Sequence, residues 1–294
     1  MTKLDGLGES ELLRRILPYI ATQGFEISAG EDDAAVWSDH GAFTVASCDT
    51  SVEGVHFDLG WMTSEDAGWR AMALALGDLA AKGATPSWAL VSVAAPRSWS
   101  VDDFVGLYRG MAELAHEVRL PIVGGDTSSI DGPAVVSITV VGQRQERPLA
   151  RSEARPGWAV AVTGPLGAAT LALKQRRALR IVPLLDEGRR LNDAGLCCGD
   201  ISDGLVREME KFAEMSGAGS VIRAAEVQVA QGATLEDALT SGEEVALVCT
   251  GPEDAVRSAG LRPIGLLTED PAVRVVGADE MPLHLKSSGY DHFA

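Results

Sequence analysis

Residues 41–49 read GAFTVASCD, an apolar and β-branched stretch that is typical of a strand and finishes in an acid. A helix is predicted next, because Thr63 and Asp66 have capping-box spacing and the Ala-rich run that follows stops at Gly83. Residues 87–94 then form a second predicted strand, bounded by prolines. This succession of strand, helix and strand predicts a mixed α/β or α+β fold.

The same patterns continue to the end of the chain. Apolar spacing or capping residues predict helices after Ser10, at residues 100–118, after Gly167, and at residues 203–216 and 252–259. Strand patterns occupy residues 121–125, 134–142, 158–163, 196–200, 245–250, 263–267 and 273–276. The polar stretch 143–156, QRQERPLARSEARP, holds two prolines and separates two groups of elements. We therefore expect two domains, residues 1–145 and residues 146–294.

Composition excludes several classes of function. The chain has 294 residues with 25 basic and 42 acidic side chains, a formal net charge of −17. This excess of acid argues against nucleic acid or an anionic membrane surface as the main partner. No apolar run approaches the roughly 18 residues of a membrane span, and no basic-then-apolar leader opens the sequence. The four cysteines lack the spacing of a zinc site or a disulfide framework, so we expect a cytoplasmic protein.

Aspartates recur beside small or apolar residues, where an uncompensated charge is costly. The set comprises Asp32, Asp33, Asp49, Asp78, Asp126, Asp200 and Asp203. Carboxylates that converge repel one another unless a cation lies between them, and Mg²⁺ takes hard oxygen ligands together with substrate phosphates. Gly124 and Gly125, before Asp126, would let the backbone approach a phosphate closely. From residue chemistry alone, the sequence indicates a phosphate site with several metal ions.

Several of these acids, taken alone, also have an ordinary structural explanation. Asp78 could pair with Lys82 one helical turn later. Asp203 could cap the helix that follows it, and Asp32 or Asp33 could be turn residues. The nucleotide-binding patterns G-x-x-x-x-G-K-[ST] and G-x-G-x-x-G are absent from the sequence. The residues by themselves therefore leave both interpretations of the acids open.

A series of motifs runs in order along almost the whole chain and extends this interpretation. It comprises GEDDAAV (30–36), DTSVEGVHF (49–57), the stretch 68–86, VGGDT (123–127), DISDGL (200–205), SGEE (241–244) and GYDHF (289–293). These motifs resemble those of the thiamine-monophosphate kinases, a family of the aminoimidazole-ribonucleotide-synthetase-like ATP-binding superfamily. The resemblance implies an N-terminal mixed sheet with helices, which binds ATP and metal and forms a homodimer. It also implies a C-terminal α/β domain that completes the active-site cleft.

The resemblance further implies roles for individual residues. The implied ligands of several Mg²⁺ ions are Asp33, Asp49, Asp78, Asp126, Asp200 and Asp203, with Ser47 and Cys48 beside them. The residues implied to hold the co-substrate ATP are Tyr108, Gly125, Asp126, Arg151 and Ser202. Those implied to hold thiamine monophosphate are His56, Glu243, Tyr290 and Phe293.

The implied reaction is direct, in-line transfer of the γ-phosphate of ATP to thiamine monophosphate, which yields thiamine diphosphate. The acceptor oxygen belongs to a phosphate that is already anionic near neutral pH, so the reaction needs alignment and charge neutralisation rather than a strong base. No residue is therefore predicted to act as a catalytic base. Two alternatives stay open: another ATP-dependent enzyme of the same superfamily, and a nucleotide-binding regulator without transferase activity.

Overall fold

The computed structural model describes residues 8–293 and contains two β-sheets with surrounding helices. The N-terminal elements are α1 (Glu9–Ile16), β1 (Ala35–Asp39), β2 (Ala42–Val52), α2 (Ser64–Ala81), β3 (Thr85–Pro96), α3 (Val101–Glu117), β4 (Ile122–Ile130) and β5 (Val135–Arg144). Their strands form a five-stranded sheet in the order β1-β2-β5-β3-β4. In this sheet β3 and β4 are parallel, and the other neighbours are antiparallel.

The C-terminal half builds a second sheet. Its elements are β6 (Ala159–Val162), α4 (Ala168–Lys174), α5 (Leu185–Asp193), β7 (Cys197–Asp200), α6 (Leu205–Ser216), β8 (Gly219–Arg223), α7 (Leu235–Thr240), β9 (Leu247–Gly251), α8 (Glu253–Ser258), β10 (Pro263–Thr268) and β11 (Val273–Val276). The strand order is β11-β8-β10-β6-β9-β7, with β8 and β11 parallel and the rest antiparallel. The predicted mixed class is confirmed, whereas the domain boundary at residue 145 stays a prediction.

The central helix of the fold is α2, which contacts α3, α5, β2 and β7 and is buried along nearly its whole length. Two glycines bring α2 and α3 into direct backbone contact. A β-carbon at Gly68 would lie 1.9 Å from the carbonyl oxygen of Leu107, and one at Gly110 would lie 1.8 Å from the carbonyl oxygen of Glu65. Because no side chain separates the two helices at these points, the position of α2 depends directly on α3.

The two faces of the N-terminal sheet differ in burial. Along β3, Ala89 and Val91 are buried on the face toward α2, whereas the alternate residues Trp88 and Leu90 are each more than a third exposed on the opposite face. The edge strand β4 is exposed over nearly its full length. An apolar face beside an unpaired edge is typical of a surface that another chain covers.

Several sequence predictions of element boundaries are wrong. β2 continues beyond Asp49 because it stays paired with β5, so that acid lies inside the strand and not at its end. β4 likewise continues through Asp126 beside β3. The N-cap of α6 is Gly204, without a side-chain hydrogen bond, so Asp203 is not the cap.

Four short elements, β1, α5, β8 and α7, were not predicted at all. By contrast, the predicted caps at Thr63 and Ser100 are confirmed, since each side chain accepts a hydrogen bond from the backbone three residues later. None of the described helices combines the length and the hydrophobicity needed to cross a membrane.

Candidate active site

Three aspartates from separate parts of the chain converge in one cavity. Asp33 precedes β1, Asp78 lies in α2 and Asp200 ends β7, and one carboxylate oxygen of each lies within 4.8 Å of the others. The cavity has a volume of about 1330 Å³ and is also lined by Asp49 and Asp203. Five of the six acids that the sequence proposed as metal ligands therefore lie around one space.

Packing of α2 between β2 and β7 brings these acids together. Ser47 and Asp49 are two residues apart in β2 and share the face of the sheet toward α2, where the Ser47 hydroxyl donates a hydrogen bond to Asp78. On the other side, a β-carbon at Gly77 would lie 3.0 Å from a carboxylate oxygen of Asp200. The glycine beside Asp78 thus leaves room for the carboxylate at the end of β7.

Burial and mutual repulsion alter the ionisation of the acids. Burial, with the charges of Asp200 and Asp33, raises the pKa of Asp49 to about 7. Burial, with the charges of Asp49 and Asp33, also raises the pKa of Asp78 to about 7, and burial raises the pKa of Asp200 well above its usual range. A bound cation would remove this repulsion. Because hard carboxylate oxygens are the donors that Mg²⁺ prefers, the donor set fits Mg²⁺.

A buried ion-pair network lies beside the acids. The guanidinium of Arg151, which is fully buried, pairs with Asp32, with Asp33 at 2.9 Å and with Glu208 at 3.1 Å. Burial alone would raise the pKa of Asp33. The nearby positive charges, of which Arg151 has the largest effect, outweigh burial and lower this pKa to about 2. Lys82 pairs with Asp32. The alternative in which Lys82 pairs with Asp78 is therefore wrong, and Asp32 is more than a turn residue.

Sequence reasoning missed a lysine within this site. Lys211, in α6, lines the cavity and places its ammonium nitrogen 2.9 Å from Asp203, 2.8 Å from Glu208 and 3.8 Å from Asp33. Burial acts to lower the pKa of Lys211, but these carboxylates outweigh it and raise the pKa well above its usual value. The available signal was the spacing of three residues between Glu208 and Lys211, in the helix that follows the DISDGL motif.

The cavity is also lined by His56, Glu243 and Tyr290. Arg70, in α2, donates a hydrogen bond to the carbonyl oxygen of His56 at 3.1 Å and forms an ion pair with Glu243. Glu243 and Val245 both have a φ of 56°, a left-handed backbone that is strained for a β-branched residue such as valine. The Arg70 contact thus ties this strained loop to the central helix.

The C-terminal segment places aromatic rings beside His56. The ring centroids of His56 and His292 are 5.1 Å apart, and those of His292 and Tyr290 are 4.8 Å apart. The backbone N–H of Tyr290 donates to the carbonyl oxygen of Asp203 at 2.9 Å. The backbone N–H of Val52 donates to Nδ1 of His56 at 3.0 Å, and burial lowers the pKa of that histidine. A neutral His56 therefore carries its proton on Nε2.

Of the remaining predicted site residues, three line the cavity and five do not. Ser47, Cys48 and Ser202 line the cavity, whereas Tyr108, Gly125, Asp126, Arg151 and Phe293 do not. Tyr108 packs against Phe104 within α3, with ring centroids 5.5 Å apart. Gly125 and Asp126 lie on β4, three strand spacings, about 14 Å, from β2. The ligand roles of all these residues stay predictions.

Comparisons with known proteins agree with this architecture. Residues 30–143 match the family described as AIR synthase related protein, N-terminal domain. A solved structure, AaThiL complexed with AMPPCP and TMP, superposes with a TM-score of 0.85 at 27% sequence identity and covers 100% of this chain and 99% of that one. The match and the superposition therefore assign the chain to the AIR-synthase-like fold class.

Curated relatives narrow the assignment. The thiamine-monophosphate kinase of Methanopyrus kandleri is 33% identical over 91% of this chain and 92% of its own length. That of Bacillus subtilis is 29% identical over 98% of this chain and 100% of its own length. This chain belongs to the thiamine-monophosphate kinase family.

Proposed function

We propose that this chain transfers the γ-phosphate of ATP to thiamine monophosphate, with Mg²⁺ held by Asp33, Asp49, Asp78, Asp200 and Asp203. The observation that carries the proposal is the convergence of carboxylates in a cavity that also holds aromatic and histidine side chains. The names of the curated relatives, and the AMPPCP and TMP in the similar AaThiL structure, support it. The names of these relatives favour this function over another superfamily activity or a regulator.

The residues of the chain act by binding and alignment. Bound Mg²⁺ would neutralise the negative charge that gathers between the two phosphate groups. Arg151 and Lys82 hold Asp32 and Asp33 rigidly, so that the carboxylates need not reorganise when substrates bind. His56 presents its Nε2 proton as a hydrogen-bond donor, and the backbone donor on Nδ1 prevents that nitrogen from accepting a substrate proton. We therefore assign His56 to acceptor binding.

Replacing Asp49 by asparagine tests the metal assignment, because the change removes one charge and keeps the side-chain size. We expect the Asp49→Asn variant to lose transfer to thiamine monophosphate while it keeps the native fold by circular dichroism. Asp186→Asn, in α5 at a side chain that is 98% exposed, is the matched control and should keep full activity. ATP consumption is measured with thiamine monophosphate, with thiamine and without acceptor. Wild-type turnover by Asp49→Asn, or equal ATP consumption in all three reactions, would contradict the proposal.

We also propose that the chain works as a homodimer in which β4 of one copy approaches the cavity of the other. Within one chain, Asp126 is about 14 Å from β2, too far to share an ion with Asp49. The exposed β4 edge and the apolar face that carries Trp88 and Leu90 support a covering partner. Gly125 and Asp126 would then reach nucleotide and metal across the interface.

Mixing two inactive variants separates this arrangement from one within a single chain. If Asp126 serves the partner's site, a mixed dimer of Asp49→Asn and Asp126→Asn has one site with both changes and one with neither. Random reassortment of subunits makes about half of the dimers mixed, and each mixed dimer has one intact site out of two. We therefore expect up to about one quarter of wild-type activity to return. No recovery, with subunit exchange demonstrated by differently tagged copies, would refute the shared site.

We further expect the reaction to take place in the cytoplasm. All four cysteines are free thiols, and Cys197, Cys198 and Cys249 are buried. Free thiols are typical of a reducing compartment.

A further inference from the structure

Lys211 is the one cavity-lining basic residue among residues 8–293 that is ion-paired with the converging acids. The other basic residues of the lining are Arg14, His56 and His292, and Arg14 pairs with Glu11. The Lys211 ammonium contacts carboxylates from two separate segments: Asp33 lies before β1, and Asp203 lies before α6. It therefore stands between two of the acids proposed to hold Mg²⁺.

A third contact differs from these two. Glu208 lies one helical turn before Lys211, has a fully buried side chain and also pairs with Arg151 at 3.1 Å. The Lys211 ammonium lies 2.8 Å from Glu208 and 3.4 Å from the hydroxyl of Ser202, which lines the same cavity. Glu208 can thus keep the Lys211 ammonium at the cavity wall even when Asp33 and Asp203 bind another cation.

We propose that Lys211 is a resident cation that neutralises Asp33 and Asp203 in the metal-free protein, yields them to Mg²⁺ and then pairs with nucleotide phosphate. The inference rests on the proposed function in one respect, that these acids bind Mg²⁺. An ammonium and a metal ion cannot both occupy the space between the same two carboxylates, so they compete. A phosphate gives the displaced ammonium a new partner, and this lowers the cost of its displacement.

The consequence is a coupling between metal and nucleotide. Without nucleotide, the metal must displace Lys211 and binds weakly. With nucleotide, the displaced ammonium finds a phosphate, so each ligand strengthens the binding of the other by the same factor. A residue that only filled space or held the fold would leave that factor unchanged.

The test measures the affinity for Mn²⁺, used as a spectroscopic probe, by electron paramagnetic resonance with and without a non-hydrolysable ATP analogue. Lys211→Met removes the charge, Lys211→Arg keeps it, and Lys174→Met makes the same change of charge at a half-exposed lysine in α4. We expect Lys211→Met to bind Mn²⁺ about tenfold more tightly without nucleotide. In the wild type, the ATP analogue should increase the affinity for Mn²⁺, and Lys211→Met should lose most of this increase. Lys211→Arg and Lys174→Met should resemble the wild type.

Two results would overturn the inference, and they are distinguishable. If the wild type binds Mn²⁺ but Lys211→Met has equal or weaker affinity without nucleotide, Lys211 does not compete with the metal and the proposed function is unaffected. If the wild type binds no Mn²⁺ with or without nucleotide, the proposed metal site fails and the inference fails with it. Should Lys211→Met not fold in chelator, Lys211→Gln, which keeps a hydrogen-bond donor for Glu208, carries the same measurement.

Discussion

Replacing Asp78 by asparagine should have opposite effects on stability and on activity. The ionised Asp78 carboxylate lies among other acids, and burial with the charges of Asp49 and Asp33 raises its pKa to about 7. A carboxyl whose pKa is higher in the folded state than in the unfolded state destabilises the fold when it ionises. This cost develops as the pH rises from about 4 towards 7 and is complete above that range.

The raised pKa of Asp78 sets an upper limit on the stability that Asp78→Asn can gain. The pKa of Asp78 lies about three pH units above its ordinary value, and about 1.36 kcal/mol for each unit gives a ceiling of about 4 kcal/mol. Because Asp78 shares protons with Asp49 and Asp200, the gain in the free energy of unfolding is smaller than this ceiling. The asparagine oxygen can still accept the hydrogen bond from Ser47, so that contact is kept. We therefore expect metal-free Asp78→Asn to be about 1–2 kcal/mol more stable than the wild type at pH 8, a rise in Tm of a few degrees.

Thermal unfolding in chelator, followed by circular dichroism, measures this difference at pH 8 and pH 5. At pH 5 the unfolded chain has already ionised this carboxyl while the folded wild type keeps it protonated, so less than half of the cost has developed and the difference in Tm should be less than half of that at pH 8. In a phosphotransfer assay with Mg²⁺, the same variant should lose roughly 100-fold or more of its activity. A lower Tm for Asp78→Asn at pH 8, or wild-type activity, would refute the assignment of Asp78 to a repelling metal-binding cluster.

Three further predictions concern pH, the acceptor and the C-terminal segment. In chelator, the Tm of the wild type should fall from pH 5 and level off above about pH 7, because Asp49 and Asp78 keep their protons in the folded state up to about pH 7 but lose them near pH 4 in the unfolded state; Mg²⁺ should abolish the fall, and a flat profile in chelator contradicts this. His56→Gln should raise the KM for thiamine monophosphate with kcat little changed, and a loss of several orders of magnitude in kcat would contradict a binding role. Tyr290→Leu should weaken thiamine monophosphate binding by about 0.5–2 kcal/mol and spare ATP, measured by calorimetry; equal loss for both ligands would assign the ring to structure alone.

The sequence could predict the acids because each stands in a short motif with a characteristic neighbourhood. Asp78 follows a glycine in an apolar helix, and Asp200 and Asp203 share the segment DISDGL. The structure brings both contexts to one cavity. Small and apolar neighbours do not tolerate an isolated charge, so each context indicates by itself an acid that a cation must compensate.

The cations could not be predicted in the same way because their partners are remote in sequence. Arg151 is 119 residues from Asp32 and 57 from Glu208, and no local pattern encodes such pairs. The motif comparison implied an ATP contact for Arg151, whereas the structure places it fully buried among acids. The unpredicted strands β1 (AVWSD) and β8 (GSVIR) have apolar runs of three and two residues, shorter than the run of about four or more that indicates a strand.

The backbone contact between α2 and α3 makes the geometry of the acid cluster sensitive to residues outside the cavity. Gly68 and Asp78 are ten residues apart on α2, about 15 Å along a helix. A methyl group added at Gly110 would force α3 away from the first turn of α2, and a rigid helix would pass the resulting tilt on to the carboxylate. Since a displacement of about 1 Å can cost roughly 100-fold in rate, evolution of this enzyme is constrained at a helix pairing well outside its cavity.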